Sequence, residues 1–421
     1  MDPVTRTDIE IMAPAGSFEA LAAAIRAGAD SVYFGAGGLN MRQASAVNFG
    51  LADMEKIARA TSRAGVRSYL AVNSTLYDDD LPAMRSLLRA AKDSGIDAVI
   101  ASDQAAISCA ADLGLEIHLS TQLSISNAES LRFYGRWADV VVLARELNLE
   151  QVAGIHRAIA DGPILGPSGR PVRIELFAHG ALCMAISGKC HLSLHQYGKS
   201  ANRGACLQAC RRSYLLADGE TGDELAVNGE YLLSPKDLKT IHFLDRVIGA
   251  GVRVLKIEGR ARPPEYVQAT VECYREAVES IVDDSYGPEK IDDWNRRLSA
   301  VFNRGFWDGY YLGRRLGEWT DGYGSAATRK RVYVGKCTNW YGRTGVGSFM
   351  IESEHIAPGD QLLVTGPTTG ALIVTPDEIW IDDSTAARAG RGTEPSFRVE
   401  RKVRRGDRLY RLVEAAASAA P

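Results

Sequence analysis

Eight short apolar runs, most of them followed by a stretch of helical periodicity, occupy the first 260 residues and most constrain the fold. They are "IEIMAPAG" (9–16), "SVYFGA" (31–36), "VRSYLAVN" (66–73), "DAVIASD" (97–103), "LEIHLSTQ" (115–122), "DVVVLARE" (139–146), "VRIELFAHG" (172–180) and "VRVLKIEGR" (252–260). Segments such as "SFEALAAAIRAG" (17–28), "MEKIARATSRAG" (54–65) and "LPAMRSLLRAAKDSG" (81–95) repeat apolar residues at helical spacing. The first of these has Ser at its N-cap and Gly at its end. Strands that read as near-continuous apolar runs are parallel strands covered by helices. An α/β fold follows, a (β/α)8 TIM-like barrel. An open doubly wound sheet produces the same alternation; the count of eight favours the barrel.

Polar residues collect where the strands end: Asn73, Asp103, Gln122, Arg145, Glu146, His179, Glu258 and Arg260. In a barrel these line the C-terminal mouth, where chemistry is done. Helix caps and turns explain Asp103 well. They explain Gln122, Arg145 and His179 poorly. The connection between the last two strands, 181–251, is far longer than an ordinary link, which makes it an insertion at the mouth. It contains a predicted hairpin over 213–234 with Asp-Gly and Thr-Gly turns. A predicted helix, "PKDLKTIHFLDRVIGAG" (235–251), leads into the eighth strand.

The chain thus divides into a barrel domain (1–285), a helical and aromatic linker arm (286–328) and a small β-barrel domain (329–421). Helical spacing recurs in 265–282 and 289–303, and a Gly- and aromatic-rich arm covers 304–325. From 329 the texture turns to short β runs, with Gly-Asp pairs at 359–360 and 406–407 each preceding a strand. The tail 413–421 is expected to fray.

Composition limits the function classes. The formal charge is −3 over 421 residues, so no chain-wide basic field exists and nucleic acid must be met by a local patch. Residues 1–30 carry no secretory pattern and no long apolar span occurs. A cytoplasmic chain is expected, and its thiols would stay reduced.

Four of the seven cysteines fall in the insertion, as Cys183-x6-Cys190-x15-Cys206-x3-Cys210. Cys109, Cys273 and Cys337 lie singly in apolar patterns and suit buried packing. The clustered four sit in a Gly- and Lys-rich loop. Structural zinc pairs its cysteines two to four residues apart, which only Cys206 and Cys210 satisfy. A 4Fe–4S cluster accepts irregular spacing. Spacing therefore leaves a cluster, zinc and buried thiols in that order. Gly180, Gly188 and Gly204 would let backbone N–H groups approach the sulfurs.

The stretch "ELFAHGALCMAISGKCHLS" closely resembles the signature of the collagenase-like peptidase family U-32. So do the opening "IMAPAGSFEALAAAIRAGADSVYFGA" and the segment "SPKDLKTIHFLDRVIGAGVRVLKIEGRARPPEYV". The resemblance covers residues 9–320 and extends toward the β domain. It implies an oxygen-independent hydroxylase with Cys183, Cys190, Cys206 and Cys210 as ligands of a 4Fe–4S cluster. Members of that family hydroxylate a ubiquinone precursor, a ribosomal RNA cytidine or the wobble uridine of transfer RNA. The single cysteine segment and small β domain resemble the tRNA member, which makes 5-hydroxyuridine and is linked to prephenate.

On that reading tRNA is the partner, and Arg145, Arg260 or Lys256 holds an anionic co-substrate such as prephenate. His179 moves protons or bonds a sulfur, or is simply a satisfied strand-end histidine. Glu258 acts at the site, or pairs with Arg260 or Arg145. Lys189, Lys199, Arg203, Arg211 and Arg212 surround the thiols, and the β domain adds Arg329, Lys330, Arg331, Arg398, Arg401, Lys402, Arg404, Arg405 and Arg408. These contact phosphates or are solvated surface charge. Tyr310, Tyr311, Trp319 and Tyr323 stack bases or pack on the barrel. Two other readings stand beside this one. A peptidase needs an activated nucleophile or open metal site, and neither HExxH nor GxSxG occurs. An iron–sulfur electron-transfer or scaffold subunit would work only with a partner protein; an electron donor is also expected for the hydroxylase.

Overall fold

The computed structural model describes residues 4–44, 46–215, 218–222, 231, 233–313, 317–322 and 324–415. Eight parallel strands close a barrel: β1 (Glu10–Pro14), β2 (Ser31–Phe34), β3 (Arg67–Val72), β4 (Ala98–Ala101), β5 (Glu116–Leu119), β6 (Val140–Val142), β7 (Arg173–Gly180) and β8 (Val252–Ile257). Each pairs with the next in sequence, and β8 closes the ring by pairing with β1 through Glu10↔Val254 and Met12↔Lys256. The doubly wound alternative is excluded by that closure. Helices flank the strands outside. Their ends follow local chemistry: the Ser17 hydroxyl accepts the Ala20 N–H at 3.2 Å to start Phe18–Ala27, and Gly28 ends it in the left-handed region. Asp103 caps Gln104–Asp112 through the Ala105 N–H; it is a cap, as its position suggested.

The insertion leaves β7 and returns over the mouth. It carries the short helix Leu192–Tyr197 and the single turns Ala201–Arg203 and Ala209–Arg211. Half of the hairpin expected over 213–234, including 223–230, falls outside the described residues. The helix expected over 235–251 is only its last part, Leu244–Gly249. Before it, Asp237–Lys239 is a strand antiparallel to the end of β7, with Gly180 opposite Leu238. Buried Asp237 faces Arg262 at 3.7 Å and Arg304 at 3.4 Å, contacts that hold this segment extended.

The long helix Pro264–Val282 and Pro288–Ala300 follow the barrel. The aromatic arm folds back: Phe306–Trp307 pairs with Asp237–Lys239, and the Tyr311 hydroxyl donates to the Phe177 carbonyl at 2.9 Å. Tyr311 is therefore packing; Tyr310 makes an edge contact with Trp307, and Tyr323 lies outside the described residues. The C-terminal domain is an eight-stranded antiparallel sheet with a small two-stranded one, His355–Ile356 and Ala389–Gly390, over a core in which Phe349 and Phe397 stack at 4.6 Å. The run "GALIVTPDEIWI" splits at Pro376 into Gly370–Val374 and Ile379–Ile381, because proline cannot donate to a ladder. The Arg26 side chain donates to the carbonyls of Thr368 and Thr369, tying sheet to barrel. No helix among the described residues is long and apolar enough to cross a membrane.

Candidate functional site at the barrel mouth

Strand alternation sends Tyr33, Ala71, Ile100, Val142, Phe177 and Lys256 into the lumen, where they form the floor of a cavity of about 140 Å³. Its walls are the residues just past the strands: Asn73, Gln122, Arg145, Glu258 and Arg260. Its roof is the insertion, together with Met41 and Arg42 from the loop after β2. These two covers are locked together. The Ala44 N–H donates to the Gly204 carbonyl, and a Cβ on Gly204 would stand 2.1 Å from the Asn40 carbonyl oxygen.

All four clustered cysteines line this cavity: Cys183, Cys190, Cys206 and Cys210. Cys109, Cys273 and Cys337 do not. Burial pushes the Cys210 thiol up, Arg211 pulls it down, and the charge of Cys183, Cys206 and Cys190 adds to the rise, so the four sense one another. The backbone N–H groups of Leu192 and Gln208 reach the sulfurs of Cys190 and Cys206 at 3.4 Å each. Those donors replace the three glycines expected in that role. Gly188 instead makes room for the Gln122 side chain, and Gly180 for the Glu258 carbonyl.

The donor set can be tested for fit. A tetrahedral zinc ion draws its thiolates to roughly 3.8 Å of one another, from Zn–S bonds of about 2.3 Å. Among the described residues no three Cys, His, Asp or Glu side chains stand close enough to share one ion. Four soft sulfur donors line the same cavity, two of them already receiving backbone N–H groups, and such donors suit a soft metal centre.

Charge dominates the remaining wall. The Arg42 guanidinium donates twice to Glu258 Oε1, at 2.8 and 3.0 Å, and the Tyr33 hydroxyl lies 3.2 Å from Oε2. Burial alone would raise the Glu258 carboxyl. Arg42, Arg145 and Arg260 outweigh it and hold the group at about 2. Glu258 is thus a fixed anion and cannot carry a proton near neutrality. Arg260 is 6% exposed; its Nη1 donates to Asn40 Oδ1 at 2.9 Å. Arg145 lies 3.8 Å over the Phe177 ring. The Nε atoms of Arg145 and Arg260 and the Oε1 of Gln122 have no hydrogen-bond partner among the described residues. Two of these atoms are donors and the third an acceptor, and a buried polar atom left open costs about 1–3 kcal/mol.

The structure separates His179 from this group. A register shift between Phe177 and His179 turns the imidazole out of the lumen, against Tyr266, Tyr274 and Phe306. Burial, then Lys239 and Arg262, push it down to about 3, so it is neutral. Among the basic residues, Arg203 is paired with Asp80 at 2.6 Å, and Arg211 is turned inward onto Ser234, Pro235 and Leu182. Arg212 rests on the Tyr197 ring at 5.2 Å, and Arg203 on Tyr77 at 3.8 Å. Arg331 pairs with Glu265 at 3.1 Å. Arg42 and Tyr33 were not foreseen from the sequence. The signal for Arg42 was the length of the loop between β2 and the next helix, Met54–Arg63.

A barrel whose mouth gathers thiols and cations is an enzyme architecture, and the family match agrees with it. The family model described as Peptidase family U32 matches residues 16–321, and the chain belongs to that family of enzymes. A protein named collagenase from Porphyromonas gingivalis (strain W83) is 57% identical over 405 residues, covering 96% of this chain and 98% of that one. The tRNA hydroxylation protein P1 of Bacillus subtilis is 28% identical over 409 residues, covering 94% and 92%. The 23S rRNA 5-hydroxycytidine C2501 synthase of Escherichia coli is 35% identical over 321 residues, covering 74% of this chain and 46% of that one.

Proposed function

We propose that the chain is an oxygen-independent RNA hydroxylase that forms 5-hydroxyuridine at the tRNA wobble position. Cys183, Cys190, Cys206 and Cys210 would hold a 4Fe–4S cluster. The observation that carries this reading is that the four thiols share one cavity with the cationic side chains of Arg145, Arg260 and Lys256. A bound cluster supplies reversible one-electron chemistry there. The chain's own residues do the rest. Arg145, Arg260 and Lys256 bind and orient an anionic co-substrate such as prephenate through charge-assisted hydrogen bonds. The paired Arg42 and Glu258 brace that wall, and the insertion excludes water. An unstacked base enters from above, since the wobble position lies in a single-stranded loop. Exposed Tyr77 and Tyr197, each carrying an arginine, offer stacking faces near the roof. Forming the C5–OH bond without O2 removes two electrons from the base, so the co-substrate would have to deliver the oxygen at the hydroxyl oxidation level or a partner protein would have to accept the electrons.

The name of the 57% identical relative favours a second reading, a peptidase. That chemistry needs a thiol activated by a base. No histidine among the described residues lines the cavity. Nucleoside mass spectrometry of tRNA from a deletion strain separates the two. Loss of 5-hydroxyuridine, restored by the wild-type gene and not by Cys206→Ser, is the expected result. Unchanged nucleosides, with peptide cleavage by cluster-free protein, would favour the peptidase.

A further inference from the structure

Below the cavity floor the lumen is charged, where such barrels are usually filled with branched aliphatics. The strands alternate to place Glu10 on β1, Arg67 and Tyr69 on β3, Glu116 and His118 on β5, and Arg173 and Glu175 on β7 toward the axis. Three of these groups form a string with Lys256. Lys256 Nζ lies 2.7 Å from Glu175 Oε1. Glu175 Oε2 faces His118 Nδ1 at 3.5 Å, and His118 Nε2 lies 3.3 Å from Glu116 Oε1. Lys256 lines the cavity at the mouth, while Glu116 borders an open hollow of about 620 Å³ at the opposite end. The string therefore crosses the barrel from site to solvent.

In its middle link, Glu175 Oε2 and His118 Nδ1 are fully buried and face each other at 3.5 Å, the longest contact of the string, with no other partner among the described residues. Each of these two atoms therefore has only the other with which to exchange a proton. We propose that His118 is a buried proton store for the cavity, exchanging with it through Glu175 and Lys256 and with solvent through Glu116. The inference rests on the mouth cavity being the reaction site.

Each transfer is a simple exchange of bonds. When Lys256 gives an ammonium proton to a group in the cavity, its neutral amine takes a proton from a Glu175 that His118 has just protonated, the Glu175 O–H bond breaking as the Nζ–H bond forms. The His118 Nδ1–H bond breaks as the Glu175 Oε2–H bond forms. The proton returns along the same links in the half-reaction of opposite sense, so the ring ends each cycle in its starting tautomer. The alternative exit is from Nε2–H to Glu116 and then to water.

The surroundings suit a ring that keeps two protons. Burial disfavours the imidazolium, but Glu116 and Glu175 outweigh it and raise the group above its ordinary range. Glu10 adds in the same sense from β1, itself held by Arg173 at 3.0 Å. From β3 the Tyr69 ring lies 4.4 Å from His118 and donates its hydroxyl to Glu10, while Arg67 binds Glu116 at 2.6 Å. From above, Lys256 opposes the charge and rests 4.7 Å from the Tyr33 ring. Burial raises the Glu175 carboxyl; Lys256 and His118 outweigh it and keep it ionised.

The test is histidine NMR on the full chain labelled at the imidazole carbon, the His118 signal being the one lost in His118→Gln. The wild-type ring should titrate above about 6.5. Lys256→Met should move it up by about one unit, since a competing cation is removed, and Lys256→Arg should leave it in place. If Lys256→Met does not fold, Glu116→Gln should move the same signal down. A ring that is neutral at pH 6, or one that none of these changes moves, overturns the proposal. In RNA modification assays, His118→Gln should lower kcat, flatten its pH profile and leave KM near wild type. A wild-type chain that modifies no RNA would overturn the function proposed above, while the resonance shifts would still decide the proton store.

Discussion

The C-terminal sheet and the barrel mouth both bury many side chains, and they differ in the chemistry of what they bury. In the sheet, Val334, Phe349, Leu362, Val364, Phe397 and Leu409 pack into an apolar core. Burial there needs only shape, and the aromatic pair adds about 0.5–1.5 kcal/mol beyond its area. At the mouth, Gln122, Arg145 and Arg260 carry buried polar atoms with no partner among the described residues, around four reduced thiols. The sheet domain also leaves two such atoms, Trp340 Nε1 and Arg411 Nε, so the contrast lies in the thiols and cations gathered around one cavity. The sheet is a body held by the hydrophobic effect; the mouth holds a site built at a cost in stability.

The largest effect expected from that contrast is in metal content. Replacing Cys183 and Cys206 by Ser should abolish iron binding and any RNA modification, while the thermal transition of the C-terminal sheet stays put. The mirror change is Phe349→Ala. It should cost about 3–5 kcal/mol in the sheet, read as a lowered transition in calorimetry, and leave iron content unchanged. Iron loss in that variant would mean the two regions are not separable.

A smaller effect concerns Glu258. Its carboxyl is held at about 2 against an ordinary 4.5, so the stability it contributes is complete above pH 4.5 and is lost as pH falls toward 2. Glu258→Gln strands the buried arginines and should cost roughly 3 kcal/mol near neutrality, with a shallower acid loss in urea titrations. The His179 effect is absent at neutral pH and appears only in acid. Its folded value of about 3 lies below its ordinary 6.5, so the unfolded chain binds the proton first. Stability should fall as pH drops from 6.5 toward 3, by at most about 1.4 kcal/mol per pH unit. His179→Phe should flatten that slope without touching metal content. A loss of iron there would place His179 in the site after all.

Much of the scaffold was readable because parallel strands inside a helical shell leave a strong signal. All eight strands lie where the apolar runs stand, and the oversized 181–251 connection marked the cover of the mouth. Arg145, Glu258, Arg260 and the four cysteines reach one cavity because strand ends and the insertion converge there. What was missed has local causes. His179 was read as a mouth residue, and a register shift that has no sequence signature turned it outward. Arg42 sits in a loop whose path depends on Asn40 bonding Arg260 across 220 residues. The lumen charges Glu10, Glu116, His118 and Glu175 sit within runs that read as apolar overall, and only their alternation with buried neighbours betrays an inward face. The segment 237–239 has helical spacing but is claimed by the edge of β7.

The central claim is that the four mouth thiols hold a cluster. Iron and sulfide assay on anaerobically reconstituted full-length protein, with visible and EPR spectra, tests it most directly. The account predicts four irons and four sulfides per chain, a reducible signal, and loss of both on replacing Cys183 and Cys206. A single tightly bound zinc, or reconstituted protein with no iron and four freely reacting thiols, would contradict it.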